Sequence, residues 1–162
     1  MMKPETPSRE KSVSDYSEFP GLDVFHRNMR SMAAIAGSRK IPVLFLTQGS
    51  MYGARVPAPE KQKRLVMTQS LIDLAVIPPD VKSLALGMDT FNRRIMEIET
   101  GLFVHTFDAA SRIPGEWSFF YDDCHLTKKG NVLLAEAISP VIETILIRIS
   151  HQVSPRNSEN AS

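Results

Sequence analysis

An aspartate and a histidine separated by two residues stand out in the segment 121–127, which reads YDDCHLT. A hydrolytic site needs this pair of side chains, because the imidazole moves a proton while the carboxylate holds the ring in one tautomer and stabilises its protonated form. The segment lies directly before a predicted helix, so a short loop would fix the two side chains relative to each other. Asp122 and His125 are therefore the first candidates for chemistry in this chain.

The spacing alone does not identify a site, because Asp23 and His26 are spaced in the same way. That second pair lies in an amphipathic stretch, where residues three apart are neighbours on one helix surface. We interpret it as an ordinary surface pair. The surroundings of each pair must decide which one is functional.

Apolar periodicity predicts helices that alternate with buried strands around these pairs. Leu22 begins a helical pattern that Gly37 is placed to end, and Thr127 is placed to cap the last helix. Apolar runs without alternation are typical of strands buried on both faces of a sheet. The predicted order is a helix from residue 22, a strand over 41–47, a helix over about 81–99 closed by Gly101, a strand over 102–107, and a helix after residue 127.

This order is typical of the α/β class, with a parallel sheet between layers of helices. Two strands are too few to close such a core. We therefore expect either further strands within 60–76, where the pattern is ambiguous, or a sheet that is incomplete on its N-terminal side. Polar composition predicts a disordered lead over 1–20 and a disordered tail over 151–162, which leaves 21–150 as the partial domain.

Asp122 begins the pattern DxxHLTxxG, which is followed by an apolar helix. This pattern resembles the last conserved block of the SGNH (GDSL-type) hydrolases. The order of elements over about 20–147 is also similar to that family. The resemblance implies a three-layer α/β/α, flavodoxin-like domain that hydrolyses esters, including acyl and acetyl groups on sugars and lipids. It implies that His125 is the general base and Asp122 its orienting acid, because Asp123 falls one residue short of the family's spacing.

The chain departs from that family where the nucleophile should lie. The family's Gly-Asp-Ser nucleophile block and Gly-x-Asn-Asp oxyanion block do not occur in this sequence. We therefore expect a C-terminal portion of a hydrolase that is inactive alone. The alternative is a non-catalytic remnant or interaction module that keeps the fold and uses a partner chain to cover its open sheet edge.

Ser50 is a weak substitute nucleophile. It follows a predicted strand, at the rim where α/β active sites form, but it also fits a turn serine beside a glycine. Ser111 and Ser118 are interpreted as loop residues.

The other polar candidates favour structural interpretations. A lone Cys124 is typically a small packed residue, and one cysteine excludes a disulfide framework and a cysteine-based zinc site within one chain. The four histidines are scattered, and no cluster of His, Asp and Glu has ligand spacing, so we predict no metal and no cofactor. His105 is interpreted as a hydrogen-bonded strand histidine. The aromatic run over 117–121 would pack under the loop or wall an acyl pocket.

Charge and hydropathy limit the classes of partner that we expect for this chain. The chain has 19 Lys+Arg and 18 Asp+Glu, a net charge of +1, which gives no electrostatic basis for nucleic acid or an anionic membrane as partner. The N-terminal residues do not resemble a secretory signal, and the apolar runs are too short to span a bilayer. We expect a soluble chain, cytoplasmic by default, that acts on a small-molecule, carbohydrate or lipid ester. The localisation itself is left open.

Overall fold

The computed structural model of the chain describes residues 19, 21–52 and 81–153. The elements within these ranges are helix α1 (Leu22–Ser38), strand β1 (Val43–Leu46), helix α2 (Val81–Met96), strand β2 (Val104–Phe107), a 3₁₀ turn (Ala110–Arg112) and helix α3 (Lys128–Val153). The predicted lead other than residue 19, the ambiguous segment 60–76 and the tail from 154 onward lie outside the described residues. Residues 151–153, assigned to the tail, instead continue α3.

The two strands pair in parallel, with Val43 opposite Val104 and Leu46 opposite Phe107. Helices with a small parallel sheet confirm the mixed α/β class, and the described part of the chain contributes two strands to that sheet. The prediction that both faces of the strands are buried is wrong in these ranges. Phe45 and Val104 are buried, while the other six strand residues are half-buried, because the described helices α1 and α2 pack over only part of the sheet.

Two apolar clusters form the core. The first joins α1 and α2 to the sheet through Ala33, Phe45, Ile95, Ile98 and Val104. The second lies beneath the loop that carries the Asp122–His125 pair and contains Met51, Tyr52, Val81, Ile113 and Phe120. The second cluster therefore supports the candidate site directly.

Helix α1 ends differently from its prediction. It runs through Gly37 to Ser38, and the left-handed residue that closes it is Lys40, at φ 56°. The N–H of Ile41 reaches back to the carbonyl of Ala36 at 2.9 Å, which satisfies an exposed helix-end acceptor. Gly37 instead lies close to β2, with Val104 3.8 Å from the place its side chain would occupy.

Helix α2 ends at Met96, three residues before its predicted end. The N–H of Ile98 bonds to the carbonyl of Ile95 at 3.2 Å, a tighter turn than the α-helix, and this brings Ile98 into the core. Gly101 does not cap the helix, since its N–H donates to the carbonyl of Val104 at 2.8 Å. No helix in the described ranges combines the length and the apolar character that crossing a membrane requires.

Candidate active site

The Asp122–His125 pair lies on a loop closed by backbone pairing at both of its ends. Phe120 and Leu126 form an antiparallel bridge, and the N–H of Tyr121 donates to the carbonyl of His125 at 2.8 Å. Phe120 is only 1% exposed and anchors this closure in the second core cluster. The loop is therefore short and fixed on a buried base, as a preorganised site requires.

Thr127 joins this loop to α3. Its hydroxyl accepts the N–H of Gly130 at 3.2 Å and donates to the carbonyl of Ser118 at 2.8 Å. The first bond confirms the predicted N-cap, because a cap side chain accepts an otherwise unpaired N–H of the first helical turn. Helix α3 accordingly starts at Lys128.

Gly130 lets the first turn of α3 lie against the loop. A side-chain carbon there would overlap the carbonyl oxygen of Phe119 and lie 3.1 Å from the side chain of Leu126. We expect Gly130→Ala to lower the free energy of unfolding by about 1–3 kcal/mol, although alanine is the better helix former. Urea unfolding measures the change. Gly101→Ala is the matched control, since nothing lies within 4 Å of its added carbon, and an equal effect of both changes would contradict the packing argument.

The carboxylate of Asp122 binds the His125 ring and its own loop at once. Its Oδ2 lies 2.8 Å from Nδ1 of His125. Its Oδ1 accepts the backbone N–H of Cys124 at 3.0 Å and that of His125 at 2.8 Å. Oδ1 also lies 3.1 Å from Nδ1 of His125, so it shapes the loop while both oxygens orient the ring. The predicted contact between the two side chains is present in the structure.

The free edge of the His125 ring is open to reactants. The His125 side chain is 77% exposed and that of Asp122 is 19% exposed. Nε2 has no hydrogen-bond partner among the described residues. With Nδ1 held by a carboxylate, the proton of the neutral ring is on Nδ1 and the lone pair of Nε2 is available to accept another.

The pKa of Asp122 lies below its usual value. Partial burial alone would raise this pKa, but the backbone N–H groups of Cys124 and His125 and the His125 ring together lower it further than burial raises it. Asp122 is therefore a carboxylate at neutral pH, the form that an orienting acid needs.

Asp123, the competing acid, takes a different partner. It is 5% exposed, and its Oδ2 accepts the hydroxyl proton of Tyr52. Its backbone carbonyl accepts the N–H of Met51 at 2.9 Å. Burial first, and then the hydrogen bond and charge of Asp123, raise the pKa of Tyr52 well above its usual value. Asp123 ties the loop to the segment after β1 and makes no hydrogen bond to the His125 ring in the described structure.

Gln48 and Asn92 connect the same loop to the sheet, and no spacing or motif in the sequence identifies them as site residues. The backbone N–H of Gln48 donates to Oδ1 of Asn92 at 2.8 Å, and Nδ2 of Asn92 donates back to the carbonyl of Gln48 at 2.9 Å. Nε2 of Gln48 donates to the carbonyl of Cys124 at 3.2 Å. Helix α2, the end of β1 and the site loop are thereby fixed to one another.

A cleft of about 990 Å³ opens at the carboxyl ends of the two strands, and Ser50, Asn92 and Asp108 are among the residues that line it. This is where ligands bind in open α/β sheets. His125 does not line the cleft. Gln48 connects the cleft to the site loop, because it lines the cleft and its side chain bonds to the loop backbone.

The serines in and near the cleft behave as turn residues. The hydroxyl of Ser50 accepts the N–H of Tyr52 at 3.3 Å, and no hydrogen bond joins Ser50 to His125 in the described structure. The hydroxyl of Ser111 donates to the carbonyl of Asp108 at 3.0 Å. Ser118 contributes its carbonyl to the Thr127 cap. The turn interpretation of Ser50 accounts for its contacts, and the nucleophile interpretation has no supporting contact.

The Asp23–His26 pair has surroundings unlike those of the site. Asp23 is on the surface of α1 and lies 3.9 Å from the guanidinium of Arg94. No hydrogen bond links Asp23 to His26 among the described residues. The same sequence spacing therefore gives two geometries. On the helix the two side chains are not bonded to each other, whereas in the closed loop the carboxylate of Asp122 bonds to the His125 ring.

The positions of His105 and of the aromatic residues before the loop decide between their remaining interpretations. Nε2 of His105 lies 3.0 Å from the carbonyl of Leu102, which fits a hydrogen-bonded strand histidine. In the aromatic run, Phe120 is buried under the loop while Tyr121 is 71% exposed. Packing under the loop is thus found for Phe120 but not for Tyr121.

Cys124 is close to both members of the pair. Its Sγ lies 3.8 Å from Nδ1 of His125. Burial first, and then the charges of Asp123 and Asp122, raise the pKa of this thiol, so it is not an activated nucleophile. One ligand atom each from Asp122, Cys124 and His125 lie within 4.8 Å of one another, a set that can hold a metal ion. The sequence prediction of no metal considered clusters of His, Asp and Glu and sites built on cysteines, but not this set of one residue of each kind.

Comparisons of the chain with protein-family models, with curated proteins and with solved structures find no match. The geometry of the site and the motif resemblance are therefore the observations that bear on the function of this chain.

Proposed function

We propose that the chain carries the acid–base half of an SGNH-type ester hydrolase, with His125 as the general base and Asp122 as the residue that positions its ring. The observation that carries this proposal is the 2.8 Å contact between Oδ2 of Asp122 and Nδ1 of an exposed His125 ring. The DxxHLTxxG motif adds support by resemblance. The three-layer architecture belongs to the same proposal.

The proposed reaction is the transfer of an ester's acyl group to a hydroxyl. Nε2 of His125 takes a proton from the attacking hydroxyl while that oxygen bonds to the ester carbonyl carbon. The ring then gives the proton to the leaving alkoxide as the ester C–O bond breaks. With water as the attacking group, the products are a carboxylic acid and an alcohol. Asp122 stabilises the imidazolium that exists between the two proton transfers.

A second candidate function is a non-catalytic interaction module. Large apolar side chains on α1 and before β1 favour it, since Ile35 is 63% exposed and Ile41 is 57% exposed. In this candidate function, a partner chain would cover these apolar residues. This candidate predicts no ester hydrolysis by His125.

The chain alone is expected to be inactive towards ordinary esters, because it lacks the family's nucleophile block. An activated aryl ester still separates the two candidates, because water or imidazole can attack it without a serine. We expect the purified chain to hydrolyse p-nitrophenyl acetate faster than free imidazole at the same concentration. Nitrophenolate absorbance measures the rate. A rate no greater than that of imidazole would remove the hydrolase proposal and leave the interaction module.

A further inference from the structure

The thiol of Cys124 takes no part in the proposed hydrolysis, yet it lies against both residues that do. Its Sγ is 3.8 Å from Nδ1 of His125, and that nitrogen is 2.8 Å from Oδ2 of Asp122. The three ligand atoms lie within 4.8 Å of one another. Thiolate, imidazole and carboxylate together suit a borderline-soft cation, and Zn²⁺ accepts all three.

We propose that Asp122, Cys124 and His125 bind a thiophilic divalent cation such as Zn²⁺, with the fourth coordination position open to water. Tetrahedral Zn²⁺ holds a sulfur and a nitrogen ligand about 3.6 Å apart, and the present separation is 3.8 Å. A nitrogen and an oxygen ligand would be about 3.3 Å apart, so Oδ2 must retreat from its 2.8 Å hydrogen bond. The third pair, the thiol sulfur and a carboxylate oxygen, lies within 4.8 Å and would have to approach to about 3.6 Å, so the site needs side-chain shifts at Asp122 and Cys124.

The loop already holds these ligands in place. Oδ1 of Asp122 accepts the backbone N–H groups of Cys124 and His125, which leaves Oδ2 for the ion. Nε2 of Gln48 donates to the carbonyl of Cys124 at 3.2 Å. Such outer contacts orient metal ligands and raise their affinity.

The local charge also favours a cation. Asp122 and Asp123 place two carboxyl groups beside the thiol, and in the described ranges neither forms an ion pair with lysine or arginine. The His125 ring is exposed, so an ion from solvent can reach the site. Binding would release the Cys124 thiol proton to solvent, because thiolate is the form that ligates.

A bound ion would change the acid–base chemistry of His125, a consequence that rests on the proposed function. An ion on Nδ1 of His125 moves the ring proton to Nε2, since a neutral imidazole carries one proton on its two nitrogens. Nε2 then has no lone pair with which to accept a proton from a hydroxyl. The bound ion would therefore inhibit ester hydrolysis by His125.

Cd²⁺ titration of the tag-free chain tests the site through the ultraviolet absorption of a cadmium–thiolate bond. The chain has one cysteine, so this band can arise only from Cys124. We expect saturation at one ion per chain, competition by Zn²⁺, and loss of the band in Cys124→Ser. Asp122→Asn and His125→Ala should each weaken binding about 10-fold or more, while His26→Ala should bind as the wild type does.

The absence of a band would overturn the site, and so would an affinity unchanged in both Asp122→Asn and His125→Ala, which would mean that the thiol binds alone. Saturation at one ion per two chains would also overturn it. None of these readouts requires ester hydrolysis. If the chain binds Cd²⁺ as expected but hydrolyses no ester, the metal site stands and the proposed function fails. If it hydrolyses the ester through His125 but binds no Cd²⁺, the proposed function stands and the metal site fails.

Discussion

Replacing His125 with alanine should lower the rate of p-nitrophenyl acetate hydrolysis by about 100-fold or more. The variant has no base to take the proton of the attacking hydroxyl, so its rate should fall to that of the buffer. The ring is 77% exposed, and its loss should therefore change the free energy of unfolding little. Initial rates and urea unfolding measured on the same preparation separate lost chemistry from lost structure.

The matched control is His26→Ala, which removes a histidine with the same spacing from an aspartate. Its rate should equal that of the wild type. Equal rates for wild type and His125→Ala would contradict the proposal, because they would show that His125 performs no catalysis. A loss in both variants would point instead to a general effect of removing imidazole groups from the surface.

The part of the site that could be predicted from the sequence is the part that local interactions determine. Asp122 reaches the His125 ring and its own loop across three residues, and Thr127 caps the helix that follows. These contacts depend on spacing and side-chain type, which a sequence displays. The choice of Asp122 over Asp123 is consistent with the structure for the same reason.

The part that could not be predicted depends on contacts between distant segments. Tyr52 meets Asp123 across 71 residues, and Gln48 meets Asn92 across 44. Neither pair has a pattern in the sequence, because each is created by how the end of β1 packs against the loop and α2. A lone cysteine predicts a packed residue. The ligand atoms of Asp122 and His125 come close to the Cys124 thiol only once the loop closes, so the sequence does not display this set.

The fold shows the same division. The α/β order follows from local periodicity, and the two strands were predicted in their correct places. The ends of α1 and α2 were misplaced because the closing bonds, from Ile41 and Ile98, override the glycines that a sequence pattern favours. Burial of the strands depends on what covers the sheet, which periodicity does not specify.

The buried contact between Tyr52 and Asp123 should make Tyr52→Phe the most destabilising conservative change at this site. Tyr52 is 3% exposed and Asp123 is 5% exposed, so water cannot replace the lost hydroxyl. A buried carboxylate without its donor costs about 3 kcal/mol. We therefore expect the melting temperature at neutral pH to fall by about 6–12 °C. Circular dichroism measures the melt, and Tyr121→Phe, at a side chain that is 71% exposed, is the control.

The same contact should make stability fall in alkali. Burial and the Asp123 carboxylate raise the pKa of Tyr52 in the folded chain above its unfolded value of about 10. The folded state therefore holds the phenolic proton more tightly, and this stabilisation is complete below about pH 10 and is lost as the pH rises towards the raised pKa. Tyr52→Phe should remove this loss and make the stability curve flatter above about pH 10, whereas Tyr121→Phe should keep the wild-type slope. Parallel curves for wild type and Tyr52→Phe, with equal melting temperatures at neutral pH, would show that the loop does not depend on this hydrogen bond.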